Sequence, residues 1–258
     1  MDVDVAELRQ FYTTPLGAIA RRIVATRIRS RWRQTEGLTV VGLGYAVPFL
    51  GSFQGRSHVV GALMTATQGA LVWPHSGRSR TVMIEEDQLP LADNSVDRLL
   101  VVHLLEASGT RAPVLLREMW RVLKPEGRVL LVVPNRRGLW ARRDVTPFGH
   151  GQPFSRGQIE RLLVSSMFSP IDWGGALHVP PFDRRLFIKS AAAFERAGNR
   201  LWPGFAGVLM VEARKETVAP LGEAVSARRA RLLPVTMPTG AKRKEVEPAA
   251  RGDVASPN

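Results

Sequence analysis

With 258 residues, 45% of them hydrophobic, the chain is long enough for one good-sized core, and one domain with appendages is the reading adopted here. A formal net charge of +13 predicts attraction to something acidic, whether nucleic acid, an anionic membrane face or a phosphorylated substrate. There is no cysteine, which excludes a disulfide framework, a thiolate metal site and a Cys nucleophile, and suits a cytoplasmic protein.

The N-terminal "MDVDVAELRQFYTTPLG" starts acidic and lacks the apolar centre of a signal peptide, and no later run approaches the roughly 18 apolar residues of a spanning helix. Within residues 1–37, Leu16, Ile19, Ala20, Ile23, Val24 and Ile28 recur at helical spacing from Pro15 to Trp32. Arg21, Arg22, Arg29, Arg31 and Arg33 sit among them, so this basic amphipathic helix suits an anionic membrane surface, an RNA backbone or a cap over the domain behind it.

Short runs rich in Val and Leu follow: "LTVVGLG" (38–44), "SHVVGAL" (57–63), "SRTVMIE" (79–85), "VDRLLVVHLL" (96–105) and "GRVLLVVPN" (127–135). Each reads as a strand buried on both faces. Between the last two, "APVLLREMWRVLKPEG" has helical periodicity and stops at Lys124-Pro125, so strand, helix and strand in succession predict a parallel sheet. A helix opened by Ser155 (153–168), "IDWGGALHV" (171–179), a helix over 184–198 and "GFAGVLMVEAR" (204–214) come next, the last two apolar runs completing the sheet as an antiparallel edge pair. The fold expected over 38–214 is therefore α/β: a Rossmann-like, seven-stranded, mostly parallel sheet with helices on both faces and an antiparallel last strand. Residues 215–258 hold five prolines, no Phe, Tyr or Trp, and eight Lys/Arg against five acids, which reads as a disordered basic tail.

Residues 82–135 carry the strongest motif. Asp87, Leu89, Pro90, Asp93, Asn94, Ser95 and Asp97 precede the fourth strand, and Glu118, Arg121, Val122, Leu123, Lys124, Pro125 and Gly127 lead into the fifth. In this order they resemble class I S-adenosylmethionine-dependent methyltransferases, in particular the type 11 group that acts on small molecules; Glu126 replaces that group's first Gly. The resemblance implies S-adenosylmethionine as cofactor and no metal. It implies a cofactor cleft lined by Gly42, Gly44 and Tyr45 after the first strand, Leu63 and Met64 after the second, and Asp87, Gln88 and Leu89 after the third, with Asp87 accepting from the adenine amino group. Asp97 orients the turn into the fourth strand, and "EMWRVLKPEG" is scaffold.

Against this pattern, Val40 stands where the family has an acid before its glycine loop, Ala46 replaces the third glycine, and Leu63 stands at the acid that grips the ribose. A carboxylate on a ribose diol makes charge-assisted hydrogen bonds worth roughly 1.5–3 kcal/mol each. Two readings stay open: a methyltransferase acting on a small acidic or aromatic acceptor, or a non-catalytic protein of this fold serving as a binding or regulatory subunit. For the first, His103 after the fourth strand and His150 are the candidate bases. The long connection 135–155 offers Arg136, Arg143, Trp140 and Phe148 to the substrate. No "[DN]-P-P-[YF]" follows the fourth strand, which argues against methylation of nucleic-acid bases and against specific nucleic-acid binding.

Overall fold

The Val- and Leu-rich runs are strands in the computed structural model, which describes residues 3–183 and 185–217. In chain order the main elements are α1 (Val5–Thr13), α2 (Pro15–Arg31), β1 (Thr39–Gly44), α3 (Val47–Leu50), β2 (Val59–Thr65), β3 (Thr81–Ile84), β4 (Val96–Val102), α4 (Leu105–Ser108), α5 (Ala112–Val122), β5 (Leu123–Pro134), α6 (Arg156–Ser165), β6 (Phe168–Ala176), α7 (Arg185–Leu201) and β7 (Val208–Lys215). The strand order is β3-β2-β1-β4-β5-β7-β6, parallel from β3 to β5, with β7 antiparallel to both its neighbours. The expected fold is present. The final pair is antiparallel, but β7 is inserted beside β5 and leaves β6 at the edge.

Alternation along the strands builds two apolar layers. Val40, Leu100 and Val102 face a core shared with α1 and α2; Val41, Leu99 and Val101 face one shared with α5 and α6. Each of these side chains is buried, at roughly 1.5–3 kcal/mol apiece for full burial. The helix expected over 15–32 is α2, whose apolar face of Leu16, Ala20, Val24 and Ile28 is packed against the core, where a membrane cannot reach it. A further helix, α1, precedes it: Thr14 caps α2 by accepting from the Gly17 N–H, and Pro15 occupies the first turn, so the chain breaks between the two. Lys215, expected to begin the tail, ends β7 instead, its Nζ donating to Asn94 Oδ1 at 2.7 Å and Leu123 O at 2.6 Å. The rest of the expected tail, beyond residue 217, lies outside the described residues.

The paired motifs are a clamp. Arg121 binds Glu118 through two hydrogen bonds of 2.9 and 2.8 Å, and also donates to Leu89 O, Leu91 O and Asp93. Glu118 accepts from the Leu89 N–H at 2.9 Å, so one ion pair fixes the loop after β3. Asp97 accepts from the Thr39 N–H and from Lys124, tying β1, β4 and the start of β5. Glu126, standing where the family has Gly, adopts φ +63°, a left-handed conformation costing a non-glycine residue roughly 1–2 kcal/mol.

Arg121 hydrogen bonds hold the Glu118 carboxyl below its usual range, so its stabilisation is complete above the unfolded pKa and disappears as pH falls through the lower folded one. Urea denaturation of Glu118→Gln should show a deficit at pH 7 that shrinks once pH drops below about 4.3, the unperturbed glutamate value. A deficit independent of pH would mean that the charge does not hold the loop.

Candidate functional site

Strand order reverses between β1 and β4, so the crevice at the carboxyl ends of these strands is where a sheet of this type receives a ligand. Tyr45 follows β1 and His103 follows β4; the Tyr45 N–H donates to Val102 O at 2.9 Å and closes the two loops on each other. Into this space α1 inserts Leu8, Phe11 and Tyr12, all buried. The chain has two tyrosines, and they stack on one another with centroids 5.8 Å apart and planes 17° from parallel.

Tyr12 Oη lies 2.8 Å from His103 Nε2. Burial, and then the neighbouring Tyr45 and Glu106, push the Tyr12 phenol well above its ordinary range; burial pushes Tyr45 up to about 12. Tyr12 therefore stays a phenol. The other ring nitrogen of His103, Nδ1, stands 3.3 Å from Oε1 of the buried Glu106. His103 itself has φ +55°, a left-handed backbone of the kind concentrated at functional positions. Gln68 ties the assembly together: its side-chain amide donates to His103 O and its backbone carbonyl accepts from the Val5 N–H of α1.

The predicted residues divide. His103 and His150 meet at one small cavity of about 10 Å³, the space of a single water, which Glu106 and Gln68 also line. His150 Nε2 donates to Asp144 O at 2.6 Å. Phe148 is in the same constellation, its ring 4.7 Å from that of His103, but it and Trp140 are core side chains and not an open substrate lid. Trp140 is buried, with its indole N–H given to Val179 O. Arg136 and Arg143 are exposed; the former donates to Pro153 O and the latter lies over the Phe182 ring, so neither joins the histidines.

On the cofactor side, Tyr45, Leu63, Met64 and Leu89 are all buried, Leu63 among Ile84 and Leu89 on one face of the sheet and Met64 on the other. Asp87 and Gln88 are exposed. The carboxylate turned inward after β3 is the preceding Glu86, which is buried, accepts from Thr67 Oγ1 at 3.2 Å and faces Arg111 at 3.4 Å. Tyr12, Gln68, Glu86 and Glu106 are the site residues that sequence reasoning missed; Glu106, three positions after His103, had a visible spacing signal.

The two glycines serve the chain's own packing. A Cβ at Gly42 would lie 2.7 Å from both Ala46 Cβ and Leu50 Cδ1, and one at Gly44 2.6 Å from Val102 O. With α1 seated, the crevice has no room for S-adenosylmethionine: the cavity at His103 is far below the roughly 300 Å³ of a small-ligand site, and Leu63, where the resemblance puts the ribose-gripping acid, is buried and apolar.

Residues 40–131 match a family model described as a methyltransferase domain, and no curated protein matches the chain. Among solved structures, an S-adenosylmethionine-dependent methyltransferase from Aquifex aeolicus is similar at 16% identity with a TM-score of 0.55, covering 83% of this chain and 100% of its own. One from Mesorhizobium loti has 16% identity, a TM-score of 0.51 and coverages of 74% and 96%. The [4+2]-cyclase SpnF has 20% identity, a TM-score of 0.53 and coverages of 76% and 80%. These likenesses show the fold.

Proposed function

We propose, from the premise that this chain belongs to the class I S-adenosylmethionine-dependent methyltransferases of the type 11 group, that it methylates a small aromatic acceptor bearing a hydroxyl, with α1 as the gate of the crevice. The observation that carries this reading is the Tyr12–His103–Glu106 array: a phenol already occupies the crevice, stacked on Tyr45 and hydrogen-bonded to a histidine backed by a carboxylate. An aryl hydroxyl entering as α1 leaves meets the same ring and the same nitrogen. The cofactor, when bound, supplies an electrophilic methyl group. His103 Nε2 would take the hydroxyl proton, and the negative charge of Glu106 beside Nδ1 would stabilise the imidazolium so formed.

The test is incubation with radiolabelled S-adenosylmethionine and a panel of simple phenols. Methyl transfer is expected, with His103→Ala lowering kcat by about 100-fold, the usual scale for a lost general base. Transfer at full rate in that variant overturns His103 as the base.

A second reading, a non-catalytic subunit of this fold, is favoured by one specific observation: Val40 and Leu63 replace the family's cofactor carboxylates, and both are buried among apolar neighbours. No binding of S-adenosylmethionine to the wild type or to a variant with α1 displaced would favour it.

A further inference from the structure

α2 uses its apolar stripe on the core, yet the positive charge of the chain has a second outlet at the C-terminal end of α7. The run from Asn199 to Phe205, "NRLWPGF", is exposed throughout. Within it Leu201, Trp202 and Phe205 are 66%, 44% and 61% exposed, although side chains of this kind bury themselves wherever the fold offers a place.

The neighbouring segment is fixed beside it. Asn135 donates its side-chain amide to Gly204 O at 3.0 Å and Ala206 O at 2.7 Å, and its N–H to Gly207 O. Gly138 approaches Ala206 so closely that a Cβ there would strike the Ala206 carbonyl. Leu139, next in the chain, is 51% exposed. Two loops therefore present apolar side chains along one edge of the molecule.

Charge on this edge is predominantly positive, although Asp144 and Glu195 flank the two stretches. Residues 136–143 contain Arg136, Arg137, Arg142 and Arg143, residues 196–205 contain Arg196 and Arg200, and neither stretch contains an acid. Arg196 also lines a groove of about 630 Å³ between α2 and α7, joined there by Arg22, Arg27 and Lys189 over an apolar floor that includes Ile19 and Ile23. Glu195, the acid in that groove, is engaged by His178 through both its backbone N–H and its ring. An aromatic and aliphatic tip among exposed arginines matches the water–lipid boundary of an anionic bilayer. Trp and Phe enter the headgroup region there, and each arginine gains from the negative surface.

We propose that the edge formed by Leu139, Leu201, Trp202 and Phe205, with Arg196 and Arg200 beside it, docks the protein on an anionic phospholipid membrane. The proposal is independent of the methyl-transfer reading.

The experiment is co-sedimentation of the full chain with vesicles of phosphatidylcholine alone or mixed with phosphatidylglycerol, for the wild type, Trp202→Ser/Phe205→Ser and Arg196→Ser/Arg200→Ser. These positions are exposed, so thermal melting should show all three proteins equally folded. The wild type is expected on the mixed vesicles and not on phosphatidylcholine alone. The apolar double variant should lose at least about tenfold in partition, and the arginine variant should be weaker on the mixed vesicles. Wild-type partition of the apolar variant would overturn the proposal, since the remaining basic residues would then suffice. Failure of the wild type to sediment would overturn it as well, as would a dimer on gel filtration that the apolar substitutions convert to monomer, which would assign the edge to a second copy of the chain.

Discussion

Replacing Tyr12 with Ala should tighten the binding of S-adenosylhomocysteine at least about tenfold, read by calorimetric titration. With α1 seated, the crevice is filled, so any ligand binds the fraction of molecules in which α1 has left, and its apparent affinity falls by that fraction. The Tyr12 ring contributes roughly 1.5–3 kcal/mol by burial. Its hydrogen bond to His103 adds about 0.5–1.5 kcal/mol. Removing roughly 2–4.5 kcal/mol from the seated state would raise the open fraction by about 30- to 2,000-fold if nothing else held α1. Leu8, Phe11 and the Val5–Gln68 hydrogen bond still hold it, so only part of that gain reaches the ligand.

Tyr12→Phe is the control: it keeps the stacked ring and loses one hydrogen bond, and should improve binding by less than the Ala variant. The same substitution should lower the melting temperature of the unliganded protein, because the seated helix is part of the fold. Equal affinities in the wild type and Tyr12→Ala would sink the gate. No binding in either, even at millimolar ligand, would favour the non-catalytic reading.

The sheet was legible because central parallel strands buried on both faces have to be written as continuous apolar runs, and each of the seven runs became a strand; β3, expected to be buried on both faces, is instead an edge strand with Val82 and Met83 exposed. Boundaries slipped where tertiary pairing overrode local pattern. β5 begins at Leu123, four residues before its apolar run, since Leu123 pairs with Val96 across an irregularity that contains Glu126 and Gly127. α1 carried a readable signal that went unused: Asp4 followed by Glu7, then Leu8, Phe11 and Tyr12 on one face.

The site was legible only in part, because sequence motifs locate loops and do not say which way adjacent side chains turn. Glu86 and Asp87 are neighbours, both acidic, and the backbone after β3 sends Glu86 inward and leaves Asp87 exposed. Trp140 and Phe148 looked like ring-binding groups and are core, because a long connection folded back on the sheet must bury something of its own. Tyr12 could not be placed from motifs at all. Its partner His103 is 91 residues away, and only the packing of α1 brings them together.

Gly44→Ala should cost about 3 kcal/mol or more, in the absence of any ligand, through two separable effects. At φ +73° a Cβ brings the left-handed penalty of roughly 1–2 kcal/mol. It would also stand 2.6 Å from Val102 O and 2.8 Å from Leu104 Cβ. Backbone cannot rotate out of the way as the end of a side chain can, so β4 would have to retreat from β1 and strain the Tyr45–Val102 hydrogen bond. Gly37→Ala isolates the first effect: Gly37 has the same φ, +73°, with nothing within 4 Å of its Cβ position. Gly42→Ala isolates crowding without the dihedral penalty, against Ala46 and Leu50, and should cost about 1–3 kcal/mol, the scale for an overpacked core. Urea denaturation of the three variants measures the ordering directly. If Gly44→Ala is no worse than Gly37→Ala, the contact with β4 is not what fixes this glycine, and a role in approaching a ligand regains the ground. If the expected order holds, a glycine loop can persist in a chain of this fold for the packing of β1 against β4 alone, whether or not a cofactor is ever bound.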